Sequence, residues 1–477
     1  MAVLAGASAP AAGANPVVHG DHPDPSLMRA GGGWYATSTS DDWLPAFPIL
    51  YSADLAHWRR VGAVFPRRPR WAARDFWAPE LVRRGGRVLA YYAALARDGR
   101  RCIAVASAAA ARGPYLDHGP LLCSRVGEID PLPVTDEQGA DWLLWKRDGN
   151  SRHRPTPILA APLVPGGLSL AAPPRELFRA DEPWERGLVE APALLRHHGG
   201  FYLFYSAGHC CGRNCNYATG VARSSSLLGP WEKRPEPVLT SGAEIRCPGH
   251  VGVVRGPAHE PMLAYHAYVR GDPSNRQLLM AAIGFDAAGW PRVERERDPY
   301  PRAPGARFGF GASLDAGWEW PAGRRPPAWV ASGRLLLGHG ALGRQAGTTR
   351  FTATAVVTLG GAGARPGLAV MGSEGNTVGI ELRGARAVAW RSDEGRRTYT
   401  GAVALPPGRP VAGAGGIGLR VTVGRRVRLA MGARGRWRAV GEPQPPPRWA
   451  SGARVALTVN GATRARARID SLAVEPR

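Results

Sequence analysis

Lysine is almost missing from this chain. Of 61 Lys and Arg residues only Lys146 and Lys233 are lysine, while Gly (62) and Pro (44) abound. Such a bias reads as base composition of the coding sequence. The net charge of +23 is therefore weak support for the nucleic-acid partner that a basic surface would otherwise suggest. Position argues the same way. Residues 311–477 carry 25 Arg against 9 Asp and Glu, scattered along alternating segments such as "GLRVTVGRRVRLAMGARGRWRAV", the pattern of a sheet's solvent face. No run of eighteen apolar residues occurs, which argues against a membrane-spanning helix. Residues 1–15 lack a basic n-region and a long apolar core, so they read as a flexible N-terminus or the remnant of a signal. Localisation stays open between a secreted or periplasmic and a cytoplasmic site, and oligomeric state is not legible. Paired Cys knuckles of a zinc site are absent as well. For the six cysteines a local disulfide ranks first, free thiols second and metal last, with the pairing of Cys210, Cys211, Cys215 and Cys247 undetermined.

Helical periodicity is also scarce. What fills the chain instead is a set of short aromatic or alternating runs bounded by Gly, Pro and Asp, which implies an all-β protein. Five stretches recur between about residues 20 and 300: "PDPSLMRAGGGWYATSTS", "WAPELVRRGGRVLAYYAAL", "IDPLPVTDEQGADWLLWK", "EAPALLRHHGGFYLFYSAG" and "GHVGVVRGPAHEPMLAYHAY". Each holds an apolar run, a Gly-containing turn and an aromatic strand. The economical fold is a five-bladed β-propeller over residues 16–305, followed by a β-sandwich over 306–477.

Innermost propeller strands start near one axis, so residues at equal phase converge there. Asp24, Ala78, Asp130 and Ala191 stand one position before the aligned proline, and Pro23, Trp77, Ile129 and Glu190 two before it. In the fifth unit His250 takes the proline position. Three acids sharing a pocket repel and desolvate one another, which raises at least one pKa and leaves others ionised. A glycosidase needs that division, with one carboxyl protonating the leaving oxygen and another, ionised, attacking the anomeric carbon or activating water. Alone, Asp24 reads as a turn residue, Asp130 likewise, and His250 as a satisfied core histidine. Glu190, in "GLVEAPALL", has less structural reason to be there. Asp21 is out of phase and expected to be dispensable for activity.

The set "HPDPSLMR", "DFWAPEL", "EIDP", "LVEAP" with "GFYLFYSAG", and "CPGHVGVV" resembles glycoside hydrolase family 43. The resemblance covers about the first three hundred residues. It implies an inverting mechanism with Asp24 as general base, Glu190 as general acid and Asp130 as the residue that tunes and orients the acid. It also implies that Trp77 lines the sugar subsite and that Arg276 bonds a substrate hydroxyl, against a plain surface-strand arginine as the alternative. Trp43 and Phe47, in "STSDDWLPAFPILYSADLAHW", have the layout of the xylosidase-type members and are expected on the substrate wall. His250 is similar to an axial histidine that faces a hydrated, structural Ca2+; no cofactor is required.

"SLDAGWEWPAGRRPPAWVASGRLLLG" resembles the start of the concanavalin-like β-sandwich of some family members, which would shape the pocket, stabilise the propeller or bind glycan. The implied activity is exo-hydrolysis of terminal β-D-xylosyl or α-L-arabinofuranosyl residues of plant cell-wall glycans, with a xylo- or arabino-oligosaccharide as the partner and no nucleic acid or membrane. Two rivals are a non-catalytic glycan-binding propeller and a fructan or sucrose hydrolase. The second is disfavoured by the lack of an Asn-Asp-Pro-Asn-Gly type opening and by Ala, not Cys, after Glu190.

Overall fold

The computed structural model describes residues 15–477 apart from 213, 296–299, 302, 322, 324, 359–362, 407–415, 434, 435 and 449–451. The expectation for the N-terminus thus falls almost wholly outside the described residues. Among these, helix is confined to two 3-10 turns, Asn150–Arg152 and Pro183–Glu185, and no helix is long and apolar enough to cross a membrane.

Two compact units emerge. The first comprises residues up to Asp41, Ala46–Arg270 and Arg276–Pro301; the second comprises Asp42–Pro45, Gly271–Asn275 and Arg302–Arg477. Within the first, chain order builds five four-stranded antiparallel sheets. Their inner strands are Ser26–Ala30, Ala72–Arg84, Glu128–Thr135, Val189–His197 and Ile245–Arg255, and each touches the next until the fifth returns to the first. That closed ring is the expected propeller, and its sheets are called blades 1 to 5. Three of the inner hairpins close through two-residue loops, Gly31-Gly32, Gly85-Gly86 and His198-Gly199, in which both residues have positive φ. Such primed turns match strand twist, and glycine adopts them without the steric cost of a Cβ.

Apolar side chains fill the seams between blades. Leu27, Trp34 and Leu50 of blade 1 meet Val254, Met262 and Leu278 of blade 5; Leu89, Tyr91 and Ile103 of blade 2 meet Leu143, Trp145 and Leu159 of blade 3. Each such side chain contributes roughly 1.5–3 kcal/mol by leaving water. The seam between blades 5 and 1 is also tied by the chain ahead of blade 1. The Asn15 amide exchanges two 2.8 Å hydrogen bonds with the backbone of Met280, and the His22 N–H donates to the Arg276 carbonyl.

All six cysteines are paired: Cys102–Cys123, Cys210–Cys211 and Cys215–Cys247. The last ties the loop after the second strand of blade 4 to the inner strand of blade 5.

In the second unit an eight-stranded sheet faces a six-stranded one, giving the expected β-sandwich. Alternation is clear in Phe351–Thr358, whose Phe351, Ala353, Ala355 and Val357 are buried. Arg428, Arg436 and Arg438 are exposed, as the solvent-face reading of the arginines requires.

Candidate active site

The inner strands share a backbone feature at the position that precedes the aligned proline or its equivalent. Asp24, Ala78, Asp130, Ala191 and His250 have φ of 56°, 43°, 56°, 53° and 44°, a conformation uncommon for residues other than glycine. The alignment of the fifth unit is thereby corrected. His250 is in phase with the residue before the proline, not with the proline itself, because only there does the strand make its left-handed step.

Four of the five N–H groups are held by a side chain of the preceding blade in the ring. His266 Nδ1 accepts from Asp24 N–H at 3.1 Å, Thr39 Oγ1 from Ala78 at 2.7 Å, Asp130 Oδ2 from Ala191 at 2.9 Å and Ser206 Oγ from His250 at 2.8 Å. The strained step and the blade-to-blade contact are the same structure. It turns Asp24, Asp130 and His250 toward one end of the ring, and register shifts between Ile129 and Leu132 and between Glu190 and Ala193 re-aim the chain at the two later acids.

Asp24 is the ionised member. Burial alone would raise its pKa, but the charges of His250 and Arg276 and the hydrogen bond from Thr39 (2.5 Å to Oδ2) outweigh it and hold the carboxyl below its ordinary value. His250 Nδ1 lies 3.2 Å from Oδ1. His266 Nδ1 lies 3.5 Å from the same oxygen but is not its ion-pair partner. That nitrogen already accepts the Asp24 N–H, and burial drives the pKa of the ring well down, so the imidazole is neutral. Arg276 is buried, which removes the surface-strand reading. Burial would favour losing its proton, yet the Asp21 and Asp24 carboxylates keep it charged. Asp21, expected to be dispensable for activity, is buried, and its Oδ1 accepts the Arg276 backbone N–H at 2.8 Å, a contact that holds the strand carrying Arg276.

Asp130 is the protonated member. Burial is the main cause, and the Glu190 charge adds to it against the opposing pull of His250, so its pKa rises to about 7. Glu190 is clasped from both sides. Tyr217 donates its hydroxyl to Oε1 at 2.7 Å, and Lys146 Nζ donates to Oε2 at 2.6 Å. Lys146 spends its other two protons on Asp148 Oδ1 and Asn150 Oδ1, both at 3.0 Å. Though it is 1% exposed, those carboxylates overcome burial and hold it charged. Three acceptors around one nitrogen suit a tetrahedral ammonium and not a planar guanidinium. Tyr217 reaches Glu190 because Gly249 has no side chain, since a Cβ there would overlap the Tyr217 ring.

Trp77 is half-buried, with its indole N–H bonded to Asp41 Oδ1 at 2.5 Å and the Arg101 guanidinium 3.8 Å over one face. Trp43 and Phe47 do not join the site, which corrects the expectation for both. Phe47 is fully buried among Phe65, Phe76 and Tyr92. Trp43 belongs to the second unit, packed on Met371 and Trp390 under the Arg454 guanidinium. Neither ring has surface left for a sugar. The two histidines cannot by themselves form a calcium cage, so an ion facing His250 would draw its oxygens from water, as the resemblance implies. His250 and His266 offer nitrogen, Ca2+ requires six or more oxygens, and among the described residues no group of three or more His, Cys, Asp or Glu could hold a metal.

Sequence reasoning missed Lys146 and Tyr217, and it missed a buried acid outside their contacts, Glu80. Glu80 follows the aligned proline of blade 2, and burial lifts its pKa to about 8 despite a hydrogen bond with Ser26.

Residues 13–291 match the family model for glycosyl hydrolases family 43. The chain belongs to that family. Among its relatives, xylosidase/arabinosidase 43B of Humicola insolens is 29% identical over 297 residues, covering 57% of this chain and 52% of that protein. The match thus spans about half the length of the Humicola enzyme. The extracellular exo-alpha-(1->5)-L-arabinofuranosidase ArbA of Cellvibrio japonicus is 28% identical over 311 residues, covering 58% and 88%. A solved xylan beta-1,4-xylosidase from Bacillus halodurans C-125 superimposes with a TM-score of 0.79 at 19% identity, covering 97% of this chain and all of that one, a likeness of fold. The family match and the site cover the same part of the chain.

Two outcomes are expected from this geometry. Lys146→Met leaves Glu190 and Asp148 without their shared cation and should cost about 3–5 kcal/mol in denaturant unfolding, with Lys146→Arg failing to restore activity; a neutral Lys146→Met would contradict the assignment. Glu80 binds its proton more tightly folded than unfolded. Its contribution is therefore complete below about pH 4.5 and is lost as pH rises through about 8. Unfolding midpoints of Glu80→Gln should fall less than those of the parent between pH 5 and 8, a difference in which the opposing term from neutral His266 cancels. Equal slopes would show that Glu80 is not protonated.

Proposed function

We propose that the protein is an inverting, exo-acting glycoside hydrolase that removes terminal β-D-xylosyl or α-L-arabinofuranosyl residues from plant cell-wall glycans or their oligosaccharides. The observation that carries this reading is the division of charge among the three acids. Asp24 is kept ionised by His250, Arg276 and Thr39, while Asp130 holds a proton up to about pH 7. An ionised carboxylate and a protonated one in the same funnel are what single-displacement hydrolysis requires.

Asp24 takes a proton from a water as the water oxygen bonds to the anomeric carbon. Glu190 gives a proton to the glycosidic oxygen as the C–O bond breaks, and the configuration inverts. Before substrate binds, the proton sits on Asp130, whose pKa the Glu190 charge helps to raise; the proton that Glu190 gives to the glycosidic oxygen is passed to it within this pair before the C–O bond breaks. Donation leaves Glu190 as a carboxylate, and one hydrogen bond already supports each of its oxygens, from Lys146 at Oε2 and from Tyr217 at Oε1. Trp77 offers a ring face to the apolar side of the terminal sugar. The relatives' names, xylosidase/arabinosidase and exo-arabinofuranosidase, support the pentose class.

Glu190→Ala should lower turnover of nitrophenyl xyloside or arabinofuranoside by at least about 10²-fold, and proton NMR of the parent's first product should show the anomer opposite to the substrate. Unchanged turnover in the variant would overturn the assignment of Glu190 as the acid, a parent that binds these glycosides without turning them over would be a glycan-binding propeller, and a retained anomer would overturn the water-activating role of Asp24.

A further inference from the structure

Beside the catalytic acid lies a cleft that the hydrolytic steps do not use. Its volume is about 540 Å³, and it is bounded by Asn150, Arg154, Arg179, Arg186, Leu188 and His209 among others. That size falls in the range of about 300–1,000 Å³ typical of small-ligand sites. Topology places it. In each blade the first strand runs away from the catalytic end and the second returns to it. The chain after the second strand of blade 3 (Asp141–Arg147), the crossing from blade 3 to blade 4 (178–188) and the end of the second strand of blade 4 (Gly200–Ala207) therefore all lie at the end where Glu190 begins its strand. These three segments are the walls of the cleft. Asn150 also joins it to the acid directly, since its Oδ1 accepts from the Lys146 ammonium that bonds Glu190. The lining is drawn from blades 3 and 4 and their crossing, and Asn150 is the residue through which it reaches the acid.

Its charge is one-sided. No Asp or Glu lines it among the described residues. Arg179 is neutralised by a two-point pair with Glu176 (2.6 and 2.5 Å), but Arg154 and Arg186 are exposed and have no acidic partner among the described residues. Arginine is abundant throughout this chain, so its number alone decides nothing. What separates these two is that they line this cleft, exposed and unpaired, where the exposed Arg100 and Arg270 hold carboxylates.

We propose that this cleft is the leaving-group subsite and that it receives an acidic sugar, a uronate whose carboxylate is bound by Arg154 and Arg186. The inference rests on the hydrolase reading above and names the substrate class within it: a terminal pentosyl residue attached to a uronic-acid-bearing glycan. Guanidinium pairs carboxylate by paired N–H donors. The neutral rim of Pro155, Gly187 and Leu188 leaves the ring itself free of charged competition. Placing the anion on the leaving side also keeps it away from Asp24, which it would otherwise repel.

The test compares kcat/KM of the full chain for a pentosyl-uronate oligosaccharide and for its carboxyl-reduced, neutral counterpart. Calorimetric binding of glucuronate and glucose, which needs no turnover, is read beside it. The parent should prefer the uronate, on the order of tenfold at low salt, and the preference should shrink as salt is raised. Arg154→Ala/Arg186→Ala should abolish both the preference and the glucuronate binding, with an unchanged unfolding midpoint as evidence that the fold is intact. Equal kcat/KM for the two substrates in the parent, or a preference that survives the double substitution, would overturn the subsite. Glucuronate binding that depends on the two arginines in a chain that hydrolyses no glycoside would support the subsite while removing the hydrolase reading.

Discussion

The site depends on a backbone step that L-amino acids avoid. Each inner strand carries, within it or just ahead of it, a residue at φ near 50°, and in four of the five cases the N–H it exposes is taken by a side chain from the preceding blade. Strain of this kind costs on the order of 1–3 kcal/mol per residue and persists only where surrounding structure over-determines it. Here the closure of the ring is that surrounding structure. Asp130 shows the economy of the arrangement, because one carboxylate oxygen caps the strand of blade 4 just after Glu190 while the group itself carries the proton of the site. Thr39 does the same on the other side, with a single hydroxyl serving Asp24 and the N–H of Ala78.

Charge then sorts the acids that geometry has collected. Around Asp24 stand His250 and Arg276; around Asp130, burial dominates. Glu190 has one ammonium and one phenol. The only two lysines of the chain have nearly buried side chains and both serve carboxylates, Lys146 with Glu190 and Asp148, and Lys233 with Asp181 and Glu185. Where a compact charge must satisfy three acceptors in a small space, arginine does not substitute, even in a chain that uses it almost everywhere else.

Much of this was legible because proline marks the strand starts. Asp24, Asp130 and Glu190 were placed by counting back from Pro25, Pro131 and Pro192, and the propeller and sandwich followed from strand spacing and alternation. His250 slipped by one position because its strand has valine where the others have proline. Trp43 and Phe47 were misread because an aromatic in a loop looks the same in sequence whether it faces a sugar or a core, and burial is decided by distant partners such as Trp390 and Tyr92. Tyr217 could not be found by phase, since the Cys215–Cys247 loop and the bare Cα of Gly249 bring it in. Lys146 had a signal that went unused, namely its rarity.

The central claim is that, of the three acids in the funnel before substrate binds, Asp24 is ionised and Asp130 is the one that holds a proton. Infrared difference spectra between the parent and Asp130→Asn, followed across pH, test it most directly, because the carboxylic C=O stretch reports protonation and the subtraction removes Glu80. The account predicts a carboxylic band, present in the parent alone, that persists at pH 5 to 6 and titrates away around pH 7. A band already gone above about pH 4, the range of an ordinary aspartate, would contradict it.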